Sequence, residues 1–288
     1  MAIGASARVN RRALLMAAAA LAAPGAAFAG SDLQLRGQAR QGGYLIGRAP
    51  AGSTFALNRT PMGEVPTDGV FFIGFDRDED KVALLTVTGP GGPAVEQSIP
   101  IAPVAYDIQR IDGLPRDQVT PSDPTLLARI AAEAARKKVG FSSRADRTDF
   151  TRRFDLPVSG ARLSARFGGQ RILNGNPMRP HYGDDLAAPI GTPVHAPAGG
   201  VVCFAETGLH YEGALVLIDH GQGAITDYLH LSRVDVQAGQ TVAAGEVIGA
   251  VGMEGRATGP HLCWRMKWRD RNLDPMLLTS PALPVSLT

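Results

Sequence analysis

Short apolar runs, broken by turn residues about every ten positions, limit this chain's fold more than any other feature. Between residues 31 and 110 they read "LQLRG", "GGYLIGRAPAGSTFALN", "GVFFIGF", "KVALLTVTG" and "QSIPIAP". Alternation with a period of two, interrupted by Gly, Pro, Asn and Asp, predicts strands of a small antiparallel sandwich. The pattern returns from Phe154 to Leu278. The 34 glycines and 21 prolines suit many short strands and turns, and 44% hydrophobic residues exclude a disordered chain. A length of 288 residues holds two ordinary modules. The expected fold class is therefore mainly β.

One segment departs from that rhythm. "PSDPTLLARIAAEAARKKVG" offers Ser122 or Asp123 as a cap, Pro124 at the first helical position, and Leu126, Leu127, Ile130 and Ala134 along one side. It closes on Arg136, Lys137, Lys138 and Gly140, so both helix ends carry their signals. The spacing predicts a helix over about 123–139 inside a linker, 113–150. The linker joins an N-terminal β-sandwich (30–112) to a second module (151–280), and a tail follows at 281–288.

Residues 1–29 combine Arg8, Arg11 and Arg12 with a short apolar stretch and the small-x-small ending Ala27-Phe28-Ala29. That is the form of a cleavable export signal, implying a periplasmic or secreted protein with no membrane span after cleavage; a membrane anchor is the alternative. "NRRALLM" is also similar to a twin-arginine signal, so the secretory and twin-arginine routes both stay open. The whole chain has 29 basic and 27 acidic residues, and loss of three arginines would leave it nearly neutral. Nothing predicts a nucleic-acid partner, which needs a clustered positive face. The acidic run "DRDED" at 76–80 lacks the glycine of a calcium loop and reads as solvated. In an exported chain Cys203 and Cys263 could pair.

All six histidines, 181, 195, 210, 220, 230 and 261, lie in the second module. In "HYGDD" His181 stands four residues before Asp185, and imidazole with carboxylate is a normal zinc pair. "YLHLS" carries His230 on a strand. "GPHLC" places His261 and Cys263 two apart, on one face of a strand if Leu262 faces the core. His181, Asp185 and Cys263 would supply three ligands and leave a fourth position for water, as in catalytic zinc sites. The remaining histidines have plainer readings: His220 fixes a turn, His195 lies at the surface or groove edge, and His210 sits in a loop that could border substrate. Trp264 and Trp268 read as core or rim packing.

The ordered motifs "HYGDDLAAPIGTPVHAPAGGVV", "LVLIDHGQGAITDYLHLS" and "GPHLCWRM" resemble the lysostaphin-type, or LytM-domain, zinc endopeptidases, metallopeptidase family twenty-three, over Phe154 to Leu278. The resemblance implies a lysostaphin-like antiparallel β domain (duplicated hybrid motif) with a groove, one zinc ion, and hydrolysis of peptide bonds in peptidoglycan stems or cross-bridges. It also implies that His181 and Asp185 are the first two ligands and that His230 and His261 flank the reacting water and carbonyl. His261 is assigned to the base and His230 to stabilisation. The third ligand of the family is the second His of His-x-His, and here that residue is Cys263.

Three readings of Cys263 follow. As a ligand, its thiolate would lower the charge of the site by one unit and make zinc a milder Lewis acid. As the mark of a lost metal, it would belong to a silent LytM-domain regulator that binds peptidoglycan or activates cell-wall amidases. As half of a Cys203–Cys263 disulfide, it would close the site.

Overall fold

Alternation in the sequence becomes alternation of burial. Along Val82–Thr88, Ala83, Leu85 and Val87 are fully buried while the residues between them are not. The structure, a computed structural model, describes residues 32–279; the expected export signal at 1–29 and tail at 281–288 lie outside them. It is mainly β. In the N-terminal part, Gln34–Gln38, Tyr44–Arg48 and Val70–Gly74 form a three-stranded antiparallel sheet. Thr60–Glu64, Thr54–Leu57, Val82–Thr88 and Ala94–Pro100 form a four-stranded one. Phe55 of the second sheet meets Phe71 of the first with ring centroids 4.7 Å apart.

The C-terminal part is built on a ten-stranded sheet. Its main path runs Thr241–Val242, Gly200–Leu209, Gly213–Asp219, Ala224–Val234, His261–Trp268, Gly183–Ala187 and Arg162–Ala165, with every pairing antiparallel. One face supplies Val216, Ile218, Tyr228, Leu262, Trp264, Met266 and Trp268 to the large core. The other carries a smaller apolar cluster of Phe204, Leu215, Leu217, Leu229 and Cys263. Trp264 and Trp268 are fully buried, which agrees with their reading as core.

The two parts share that large core. Phe72 stacks on Tyr44 at 5.2 Å and meets Phe150 at 5.3 Å and Trp268 at 6.0 Å, so an N-terminal aromatic seals the back of the C-terminal sheet. Val70–Gly74 lies at the rim of its sheet, where unpaired backbone groups need cover. The Gln222 amide provides it, donating to Val70 O (2.9 Å) and accepting from Phe72 N (3.2 Å). Ile108–Ile111, read from sequence with the N-terminal module, instead pairs in parallel with Gln170–Leu173; a long connection allows this.

The helix spans Pro124–Phe141, capped by Asp123, whose carboxylate accepts from Leu126 N at 2.8 Å. Its apolar side is less buried than the spacing suggests, and Leu127 remains 45% exposed. Charge docks it instead: Arg136 pairs with Glu206 (2.9 Å), Lys137 with Glu212 (2.6 Å), and the buried Glu133 accepts from His210 N (2.9 Å). Near Gly140 the helix backbone comes close to the sheet. A Cβ there would lie 2.9 Å from that of Phe204.

Gln222→Ala should remove both amide bonds to Val70 and Phe72 and lower stability by about 1–3 kcal/mol, read from urea unfolding. A midpoint unchanged from the wild type would show that the amide adds nothing to the junction.

Candidate metal centre and active site

The site is made by strand register. Asp185 on Gly183–Ala187 stands directly opposite Cys263 on His261–Trp268, and Ala187 stands opposite His261. His261 and Cys263 leave one face while Leu262 and Trp264 enter the core on the other, as the two-residue spacing predicts. His181 arrives from the preceding loop, locked by a reciprocal pair of backbone bonds: Gly168 N to His181 O (2.6 Å) and His181 N to Gly169 O (2.7 Å). Gly183 leaves room for the cluster. A Cβ on it would come within 2.5 Å of Arg265 Cγ and 3.2 Å of Cys263 Sγ.

His181 Nε2 lies 3.1 Å from Asp185 Oδ1 and 3.3 Å from Cys263 Sγ, and all three residues are buried. One donor atom from each falls within 4.8 Å of the others. Zinc bond lengths of about 2.0–2.3 Å imply tetrahedral edges of roughly 3.4–3.6 Å, close to these separations. Asp185 Oδ1 is buried without a well-aligned hydrogen-bond donor despite the nearby imidazole. An unpartnered carboxylate oxygen gathered with an imidazole nitrogen and a sulfur is what a shared cation requires, so the donor set fits zinc.

Burial pushes His181 down to about 4, only partly opposed by Asp185, so the ring is neutral and able to ligate. Burial alone would raise the Asp185 carboxyl, but His181, His261 and Arg171 outweigh it and hold it below the ordinary carboxylate range. Burial pushes the Cys263 thiol up to about 12, against the pull of Arg265. Each anionic candidate has its own guanidinium. Arg171 Nη2 lies 3.6 Å from Asp185 Oδ2, and Arg265 Nε donates to Cys263 Sγ at 3.3 Å.

His230 reaches the cluster by breaking the alternation of its strand. Tyr228 and Leu231 face the large core and Leu229 faces the smaller cluster, so one residue is extra. The register shifts here, from Leu215 opposite Leu229 to Ala214 opposite Leu231, and His230 takes φ +65°. A left-handed non-glycine residue costs about 1–3 kcal/mol. Two bonds hold it: its N–H to Glu212 O (2.9 Å) and Nδ1–H to Glu254 O (2.7 Å). Burial, then His261, push His230 down to about 3. Its ring centroid is 4.9 Å from that of His261, whose Nδ1–H donates to Gly259 O (2.8 Å) and whose Nε2 lies 3.6 Å from Asp185 Oδ1. Both rings therefore keep Nε2 free as an acceptor.

All five candidates, His181, Asp185, His230, His261 and Cys263, meet in this one place. His220, His210 and His195 do not. His220 is fully buried, with Nδ1 2.6 Å from Gly199 O and Nε2 2.7 Å from Thr226 Oγ1, which suits the turn-fixing role. The His210 ring contacts Asp117 O at 3.3 Å, and His195 lies on Pro193–His195, paired with Val247–Val251. The disulfide is excluded by strand order. Cys203 and Cys263 sit on strands three spacings apart, about 14 Å, twice the reach of a bridge, and both are free. Arg171 and Arg265 were not singled out from sequence. Arg265 had a signal, two residues beyond Cys263 on the same face; Arg171 had none.

The model of peptidase family M23 matches residues 179–275. This part of the chain belongs to peptidase family M23. The chain is 41% identical over 125 residues to peptidoglycan DD-endopeptidase ShyA of Vibrio cholerae, covering 42% of this chain and 28% of that protein. It is also 41% identical over 125 residues to the DD-carboxypeptidase/endopeptidase Mpg of Neisseria meningitidis, covering 43% and 29%. The M23 segment thus spans less than a third of these curated relatives. A solved structure of an M23 peptidase from Pseudomonas aeruginosa superposes with a TM-score of 0.63 at 28% identity, covering 84% of this chain and 95% of that one. Likeness therefore extends beyond the M23 segment.

His220→Gln should lose about 1–2 kcal/mol at pH 7. It should also lose less stability than the wild type on acidification. The buried ring stays neutral down to about 4 while the unfolded ring protonates near its ordinary value, so its contribution is present above about 6.5 and lost as pH falls toward 4. Equal pH dependence of unfolding in the two proteins would contradict this.

Proposed function

We propose that this protein is an exported zinc-dependent endopeptidase that hydrolyses peptide bonds of bacterial peptidoglycan, with His181, Asp185 and Cys263 holding the metal. The observation that carries this reading is the convergence of those three buried donors beside two histidines with free Nε2 atoms. The M23 match and the relative named a peptidoglycan DD-endopeptidase support the substrate class. Action on peptidoglycan agrees with a periplasmic or secreted location. No helix among the described residues is long and apolar enough to cross a membrane.

Zinc, when bound, would polarise the scissile carbonyl and acidify a water toward pH 7. The chain's own residues do the rest. His261 takes the proton of the attacking water at Nε2, which the Nδ1–H bond to Gly259 O leaves as the acceptor. The same proton then passes to the leaving amine. His230 is held neutral with Nδ1–H committed to Glu254 O, so its Nε2 first accepts from the water and orients it. Its stabilising role is exerted through that bond, which strengthens as the attacking water gives up electron density to the carbonyl carbon. Arg265 and Arg171 partly offset the charges of Cys263 and Asp185, which keeps a doubly anionic ligand set compatible with burial.

The silent-regulator reading, with amidases as partners, has less support, since all five site residues are arranged together and the changed one is still a zinc ligand by type.

Cys263→His raises the charge of the site by one unit. The acidic limb of the pH–rate profile on purified peptidoglycan should shift to lower pH, with faster turnover at pH 7 than in the wild type. Superimposable profiles would show that Cys263 does not tune the reacting water.

A further inference from the structure

Beside His181 lies an open cavity of about 950 Å³. Its floor is the sheet face bearing Asp227, Arg265 and Lys267, one wall is the end of the helix Pro124–Phe141, and the other includes residues 178–182. Nine of its lining side chains are Lys or Arg and only three are Asp or Glu. The chain as a whole, with 29 basic and 27 acidic residues, has no such bias, so these cations are concentrated here.

The three acids do little to cancel the field. Glu212 cancels only Lys137 (2.6 Å), Asp270 is taken by Arg271 (2.9 Å) outside the lining, and burial pushes the Asp227 carboxyl up to about 7; with Arg171 and Arg265 turned to Asp185 and Cys263, six of the nine cations remain. Several cations rest on neutral groups. Arg256 donates to Gln118 O and stacks on Tyr211, Arg144 donates to Phe141 O, and Lys267 lies 5.1 Å from the Phe141 ring centroid. Among the described residues none of these three has an ion-pair partner. Leu173, Met178 and Leu229 interleave apolar surface with the charge.

We propose that this cavity is a subsite for a peptide segment bearing several free carboxylates, and that its cations make the protein prefer such peptides over their amidated forms. The inference rests on the endopeptidase reading, since His181 borders both the cavity and the candidate metal centre. The cations come from the floor and both walls instead of converging on one point. That spread suits carboxylates dispersed along a peptide better than one compact dianion. Long-range attraction also raises the encounter rate and weakens with salt.

The test uses the full chain carrying His261→Ala, which blocks turnover, and two coumarin-labelled peptides of one sequence. One has free glutamate and C-terminal carboxylates; in the other every carboxylate is amidated. Fluorescence anisotropy at low salt should show the free peptide binding about tenfold more tightly, with the difference shrinking at high salt. Adding Lys138→Gln, Arg179→Gln and Lys267→Gln together should abolish the preference. Should the triple variant fail to fold, Lys138→Gln and Arg179→Gln alone, both at exposed positions, should each reduce it about twofold. Equal affinity for the two peptides, or a preference untouched by the substitutions, overturns the subsite. Cleavage of both peptides at equal rates by the zinc-loaded wild-type chain also overturns it while leaving the endopeptidase intact. Selective binding with no cleavage of peptide or peptidoglycan would retain the subsite and contradict the endopeptidase.

Discussion

Asp185 facing Cys263 across one antiparallel pair is the contact on which the site depends. Directly opposed residues have Cβ atoms about 4.5–5.5 Å apart, so the ladder itself brings a carboxylate and a thiol to the separation a metal needs. The same register puts His261 two residues along on the same face, and His181 is delivered by the loop that enters the partner strand. A slip of one residue would send Cys263 and His261 into the core and Trp264 into the groove. The fully buried Trp264, Met266 and Trp268, sealed from behind by Phe72, hold that register. The N-terminal part thereby supports a site it does not line.

Electrostatics bears on the proposal that a thiol stands where the family has an imidazole. A thiolate beside a carboxylate in a buried place is costly unless each is compensated. Arg265 and Arg171, at 3.3 and 3.6 Å, offset part of that cost, and the cation proposed to bind between the two ligands would offset more. The cationic surroundings continue into the adjoining cavity, so the charges that steady the ligands and those proposed to draw an acidic peptide form one field.

Much of this was legible before any coordinates. Strict alternation in "KVALLTVTG" and "GPHLCWRM" fixed strand faces, because the period of two is a property of the backbone. The helix ends were legible from Asp123, Pro124 and the basic last turn, since caps act locally. Three things were hidden for physical reasons. The helix docks through Arg136, Lys137 and Glu133 to partners some 70 or more residues away, and periodicity carries no record of ion-pair partners. His230 enters the site through a bulge that breaks the very alternation used to read strands. The separation of Cys203 from Cys263 follows from strand order, a property of tertiary pairing.

The central claim is that Cys263 binds zinc through sulfur. X-ray absorption at the zinc edge of the purified protein tests it most directly. The proposed ligand set predicts one sulfur at about 2.3 Å with the remaining nitrogen and oxygen scatterers at about 2.0–2.2 Å. A shell of nitrogen and oxygen alone, unchanged in the Cys263→Ser variant, would contradict it.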